Sequence, residues 1–258
     1  MNKKISMVLE SLEYKHQIKI IYACEAGSRA WGLANERSDY DIRFLYVYPT
    51  TTYLRIDPVG TKEFPEVIEK PISDSLDISG WELTKALRLF RKSNPSLLEW
   101  IHSPIVYKND NFLIKKMKDI LPCVFNPIAC IMHYTNMAKA NLHRYEKNMN
   151  PQPKDTLNII KPIIAAKWIN KHHEFHPLHF SKMIEDFYSG EIKKSYLQLA
   201  KEKRLNLQLG TEESKLIKHA ITELAVLQAA AKKIHPMKIE ETRRLDELFR
   251  NMLDRIWG

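Results

Sequence analysis

Glycine is scarce in this 258-residue chain, with only 7 residues, which argues against propellers, β-helices and glycine-rich linkers. Cysteine is scarcer still. Cys24, Cys123 and Cys130 form an odd set without a CxxC pair, so neither a disulfide framework nor a zinc site is expected, and buried thiols are. No run approaches the roughly 18 consecutive apolar residues of a membrane span. The stretch after Lys3 and Lys4 is interrupted by Glu10 and Glu13, so it holds no signal-peptide core, and the expected location is the cytoplasm.

What is present is the composition of a globular protein, 44% hydrophobic and 28% charged, long enough for a substantial core. Its charge is unevenly placed. Residues 1–110 carry 15 basic and 15 acidic side chains, so the whole net charge of +9 falls in residues 111–258. Two readings fit that excess: a surface for an anionic partner such as nucleic acid, or solvated helix faces.

The apolar spacing of Ile5, Val8, Leu9 and Leu12 predicts a first helix over residues 2–15. Ile18 to Cys24 reads as a buried strand, and Tyr40 to Tyr48 as the clearest strand of the chain. Four prolines make residues 49–71 a loop with at most one short strand. A strand at Leu76–Ile78 is followed by Ser79–Glu82, which has the form of a capping box opening a helix over Gly80–Lys92. Asn94-Pro95 then stops that helix and starts a short one carrying Leu97, Leu98 and Trp100. Beyond residue 110, six or seven helices are expected, with breaks near Pro122, Pro151–Pro153, His176-Pro177, Gly190, Gly210 and Pro236. The fold class is therefore α+β: a small mixed sheet with helices over residues 1–108, then a helical domain over 109–258.

The chemistry concentrates in Gly27-Ser28, ten intervening residues, then Asp39-Tyr40-Asp41. Gly27 ends a strand and lets backbone amides approach a ligand; Ser28 adds a hydroxyl donor. Asp39 and Asp41 are two apart at a strand start, so both carboxylates project from one face. Tyr40, Ile42, Phe44 and Tyr46 form the bulky opposite face. Asp77, flanked by Leu76 and Ile78, lies on the polar face of its own strand. If those strands are neighbours, three carboxylates converge beside a phosphate cradle, as metal-assisted nucleotidyl transfer requires. Asp74 is the competing third carboxylate, three positions from Asp77. Each piece also has a structural reading: Ser28 as a helix cap, Asp39 as a turn cap, Asp77 as a surface residue.

With that spacing the sequence resembles the polymerase-β-like nucleotidyltransferase superfamily. The segments GSRAWGLANERSDYDIRFLYV, LDISGWELTKALRLF and NPSLLEWIHSP, within residues 24–104, are similar to its YcgL-like, RNA-repair-pathway or RNA-ligase-associated family; KPIIAAKWI and RRLDELF extend the likeness. The resemblance implies a palm-like catalytic domain, with Gly27, Ser28 and Arg29 as nucleotide-binding residues and Asp39 and Asp41 as ligands of Mg²⁺ or Mn²⁺. Asp77 would be the third metal carboxylate and the base. It further implies a nucleoside triphosphate substrate, ATP, and an acceptor hydroxyl. RNA bound through the basic helices is one acceptor; a protein, as in an antitoxin-like modifier, or a small molecule are others. A catalytically silent nucleic-acid-binding relative is a rival reading that the intact carboxylate set argues against.

Other residues invite weaker readings. His172, His173, His176 and His179 lack an HExxH frame and read as a polar segment between helices. Arg29, Arg37 and Arg43 flank the phosphate loop or the aspartates, and Arg29 and Arg37 are open equally to surface pairing with Glu25 or Glu36. Trp31 and Trp81 suit either a base or the core. Basic candidates for an RNA surface are Lys201–Arg204, Lys232–Lys238, Arg243 and Arg244.

Overall fold

The computed structural model describes residues 1–57, 59–73, 75–208, 210, 212–231 and 241–258, with the backbone alone at residues 71–73. Asp74 and the run Lys232–Lys238 lie outside the described residues. The chain begins with helix α1 (Asn2–His16) and strand β1 (Lys19–Glu25), then a one-turn helix α2 (Gly27–Ala30) and strand β2 (Tyr40–Val47). A short helix α3 (Thr50–Tyr53) leads to the hairpin β3 (Val67–Ser73) and β4 (Leu76–Glu82). Helices α4 (Leu83–Arg91) and α5 (Pro95–Ile101) and an edge strand β5 (Val106–Asn109) complete this part. Seven helices follow among the described residues: α6 (Asn111–Val124), α7 (Pro127–Glu146), α8 (Pro153–His172), α9 (Phe180–Phe187), α10 (Gly190–Leu205), α11 (Glu213–Ala231) and α12 (Thr242–Trp257). The architecture is α+β, with a five-stranded mixed sheet ordered β3-β4-β2-β1-β5 and a helical region after it. No helix among the described residues is long and apolar enough to cross a membrane.

Chain contacts gather the molecule into two compact units that are interleaved along the sequence. The first contains Met1–Gly27, Asp39–Phe125 and the C-terminal helix α12; the second contains Ser28–Ser38 and the chain from Asn126 through α11. The cut at residue 108 proposed from sequence character thus follows composition, whereas contacts join α6 and α12 to the sheet unit.

Within the first unit, Ile5, Leu9 and Leu12 of α1 pack on Ile20 of β1, Ile42, Phe44 and Tyr46 of β2 and Ile78 of β4. Alternation does the rest: odd-numbered β2 residues turn to the other face. All pairings are antiparallel except β2 with β4. β4 runs four residues past Ile78, and the expected capping box is replaced by another device. Glu82 itself caps α4, its carboxylate accepting from Thr84 N at 2.7 Å and Lys85 N at 3.2 Å. Gly80 pairs with Phe44 in the strand, and only glycine fits there, since a Cβ would meet the Phe44 ring 2.1 Å away. Asn94 and Asp110 cap α5 and α6, and Pro95 occupies the first helical turn of α5. Pro122 lies inside α6 near its end, and the break comes three residues later at Phe125.

In the second unit α7 and α8 pair along their lengths and α11 packs across both. Pro162 lies within α8, and Ile160, Ile163, Ile164 and Ile169 fill its buried side.

Candidate active site

β2 and β4 run parallel with Asp41 directly opposite Asp77. The two carboxylates face each other across neighbouring strands, and Arg43, on the same face, bridges them. Its Nη2 stands 3.3 Å from Asp41 Oδ1 and 2.8 Å from Asp77 Oδ2. Its Nη1 donates to the carbonyls of Ile42 at 3.0 Å and Asp77 at 3.1 Å, which fixes the guanidinium plane. Burial pushes the Asp41 carboxyl above the usual range; Arg43 opposes that shift, while the Asp77 and then the Asp39 charges reinforce it. Asp39 is exposed, one residue before the strand.

The backbone around Asp41 is held from β1. The Glu25 carboxylate accepts from Asp41 N at 2.7 Å and from the Tyr107 hydroxyl, and Ala26 N donates to Asp41 O at 2.8 Å. Glu25 is fully buried. That corrects its reading as a surface partner, and the sequence contained one signal: an acid closing the apolar run IIYAC. Gly27 follows at φ 55°, and a Cβ on it would lie 1.9 Å from Asp41 Oδ2. The carboxylate therefore rests against the bare Cα of Gly27, so the glycine serves a close approach as well as a left-handed backbone.

Gly27, Asp41, Asp77 and Arg43 are thus brought together in the sheet unit. Ser28 and Arg29 open the segment Ser28–Ser38, which is secured within the helical unit. Leu33 N donates to Ser28 O at 2.8 Å, and Arg29 Nη2 to Ser38 O at 2.8 Å. Asn35 Nδ2 donates to Lys203 O at 3.0 Å, and Phe180 N to Trp31 O at 3.3 Å. Trp31 is buried against His176, ring centroids 5.1 Å apart, with Lys161 over its face. It is a core residue of this segment.

A cleft of about 640 Å³ opens at Arg43 and Asp77 and continues past Ser79, Trp81, Ser96 and Glu99. Trp81 is half-buried and stacks on Trp100 with centroids 3.9 Å apart. Of the two tryptophans considered for base stacking, Trp81 alone lines the cleft at Asp77.

The donor set suits a hard divalent cation, because carboxylate oxygens are its protein ligands; such an ion would share the negative charge of the pair with the Arg43 guanidinium. Among the described residues, no group of three or more His, Cys, Asp or Glu side chains is gathered to hold a metal unaided. The protein would supply a partial shell from Asp41 and Asp77, with Asp39 beside them, and phosphate oxygens and water would complete it, as is usual for magnesium. The histidine segment is not such a site. His176 is buried rather than part of a polar surface. Its Nδ1 donates to the carbonyl of Pro177 at 3.1 Å, so Nε2 accepts from the Tyr134 hydroxyl at 2.7 Å. His179 caps α9. The basic residues considered for an RNA surface also separate: Lys201 and Arg204 are exposed on α10, while Arg243 and Arg244 sit on α12 in the sheet unit.

The profile of the RNA repair pathway DNA polymerase beta family, RlaP, matches residues 1–251. The chain is 36% identical over 260 residues to the uncharacterized protein YcgL of Bacillus subtilis (strain 168), covering 100% of this chain and 98% of that protein. A solved nucleotidyltransferase-like protein from Exiguobacterium sibiricum 255-15 is similar at a TM-score of 0.32 and 10% identity, over 97% of this chain and 80% of that one. A likeness that loose places no residue.

Proposed function

The chain belongs to the RNA repair pathway DNA polymerase beta family, of nucleotidyltransferase-like proteins, and from that premise we propose that it transfers a nucleoside monophosphate from ATP to an acceptor hydroxyl. The observation that carries this reading is Asp41 opposite Asp77 in parallel register, both on Arg43, with Asp41 against the bare Cα of Gly27. Gly27, Ser28 and Arg29 bind the nucleotide phosphates. Asp39, Asp41 and Asp77 would hold Mg²⁺, and the ion, when bound, would supply positive charge against that developing on the transferred group. Asp77, at the mouth of the cleft, takes the proton of the acceptor hydroxyl. The acceptor oxygen bonds to the α-phosphorus, the bond to the β-phosphate oxygen breaks, and pyrophosphate leaves. Glu25 acts one step back by fixing the Asp41 amide, so that the carboxylate is positioned before substrate arrives.

RNA is the proposed acceptor, supported by the repair-pathway description of the family and by the positive charge carried after residue 110. The test is incubation with Mg²⁺ and α-labelled ATP in separate RNA, protein and metabolite pools, with Asp41→Asn as the blank. Label entering RNA with the wild type alone is the expected result. Label in no pool above the blank refutes nucleotidyl transfer; label in protein or metabolites refutes the RNA acceptor.

A further inference from the structure

The cleft beside Asp77 lies wholly within the sheet unit, and its lining is not that of a phosphate trough. Along β4, strand alternation turns Asp77, Ser79 and Trp81 to one face in that order. Ser79 lies opposite Arg43 on β2 and Glu69 on β3. Helix α5 contributes Ser96, Glu99 and Trp100 to the same cleft. Among the described residues that line it, Arg43 and Lys70 are basic while Glu69, Asp77 and Glu99 are acidic. A run of phosphates gains nothing from such a surface. Trp81 stands out in it, as a large apolar ring left half-exposed between polar neighbours. One face of its indole is covered by Trp100, at 3.9 Å between centroids and 29° between planes. Trp100 is only 5% exposed and is itself held: its carbonyl accepts from the Tyr22 hydroxyl at 2.7 Å, and Asn94 caps its helix by accepting from Leu97 N at 3.1 Å. The Trp81 indole is therefore fixed before any ligand arrives, and a flat partner meets it at little cost in side-chain freedom.

We propose that Trp81 is a stacking platform for a nucleobase of the acceptor, at the 3′ end of an RNA strand, with Ser79 and Ser96 offering hydroxyls to the sugar. A nucleobase is flat and uncharged, and its π-face is the surface an indole holds without regard to sequence. The 3′-terminal nucleoside carries free sugar hydroxyls and no phosphate beyond them, which fits a lining with more acid than base between Trp81 and Asp77. That one of those hydroxyls loses its proton at Asp77 rests on the proposed transferase reading; the stacking site does not.

The experiment is fluorescence anisotropy of the full chain in EDTA with a 5′-labelled single-stranded RNA oligonucleotide, beside the same strand made abasic at its last two 3′ positions. The abasic strand should bind wild type about tenfold more weakly than the intact one. In Trp81→Leu, which keeps apolar bulk and removes the ring, that ratio should fall below twofold. Trp81→Phe should restore most of it, a rescue that a folding defect would not allow. Equal binding of the two strands to wild type, or no binding of either, overturns the platform, as does a tenfold ratio that survives in Trp81→Leu. A ratio that depends on Trp81, in a protein that labels no acceptor, upholds the platform and removes the transferase reading. Label from ATP entering both strands equally well removes the platform and leaves the transferase reading standing.

Discussion

Replacing Gly27 by alanine adds one carbon at the place where the Asp41 carboxylate touches the backbone. That carbon would sit 1.9 Å from Oδ2 and 2.6 Å from Cγ, against about 3.4 Å for ordinary contact, so the carboxylate must withdraw by about 1.5 Å. A second cost comes from the backbone, since a side chain at φ 55° is disfavoured by about 1–2 kcal/mol. Forcing Asp41 off its rotamer adds about 1 kcal/mol. Together these lower stability by about 2–3 kcal/mol, or a Tm loss of roughly 5–10 °C in scanning calorimetry. Function should suffer more: a 1 Å misplacement of a positioned group costs about 10²-fold, so turnover in the labelled-ATP assay should fall at least that far. In an Asp41→Ala background the steric part vanishes, and the same change should cost only the backbone share. Turnover of Gly27→Ala within threefold of wild type would refute the claim that this contact sets the carboxylate's position.

Asp41→Asn and Asp77→Asn should each reduce transfer at least a thousandfold, roughly 4 kcal/mol of barrier, with Tm nearly unchanged; wild-type rates in either exclude it from the metal shell. Arg43→Met leaves two facing carboxylates without their cation, so its Tm in EDTA should drop and Mg²⁺ should raise it more than in wild type. An equal response to Mg²⁺ would show that Arg43 and the metal do not compete for the same charge. Glu82→Ala removes the cap of α4 and the acceptor of the half-buried Tyr53 hydroxyl, which together stabilise by about 2–4 kcal/mol. Because burial raises the Glu82 pKa, the native state holds that proton more tightly than the unfolded chain. Its contribution to stability is therefore present at low pH and lost as pH rises through the folded pKa, a slope that urea titrations should find flattened in Glu82→Ala.

The carboxylate face was legible in the sequence because strand alternation is a local rule. Bulky Tyr40, Ile42, Phe44 and Tyr46 leave Asp41 and Arg43 on one side, and Leu76 and Ile78 do the same for Asp77. What escaped depends on partners distant in the chain. The Ser79–Glu82 spacing has the form of a capping box, yet pairing with β2 continues through Glu82 and the helix starts at Leu83. Glu25 reads as a surface acid until the Tyr107 hydroxyl, 82 residues on, and the Asp41 amide surround it. No local pattern tells α12 to leave the helical region for α4 and α6, or assigns Ser28–Ser38 to the unit of α10.

The return of α12 to the sheet unit has a consequence during synthesis. Domains ordinarily fold as they emerge, the N-terminal one first. Here the sheet unit is completed by the 16-residue helix α12, whose Phe249 ring meets Tyr53 at 5.0 Å and whose Arg255 reaches Asp110 at 3.6 Å. The helical unit can be complete while the aspartate-bearing unit still lacks its last element. A nascent chain would thus complete the helical unit before the carboxylate-bearing one, and a chain truncated before α12 would leave the sheet unit open.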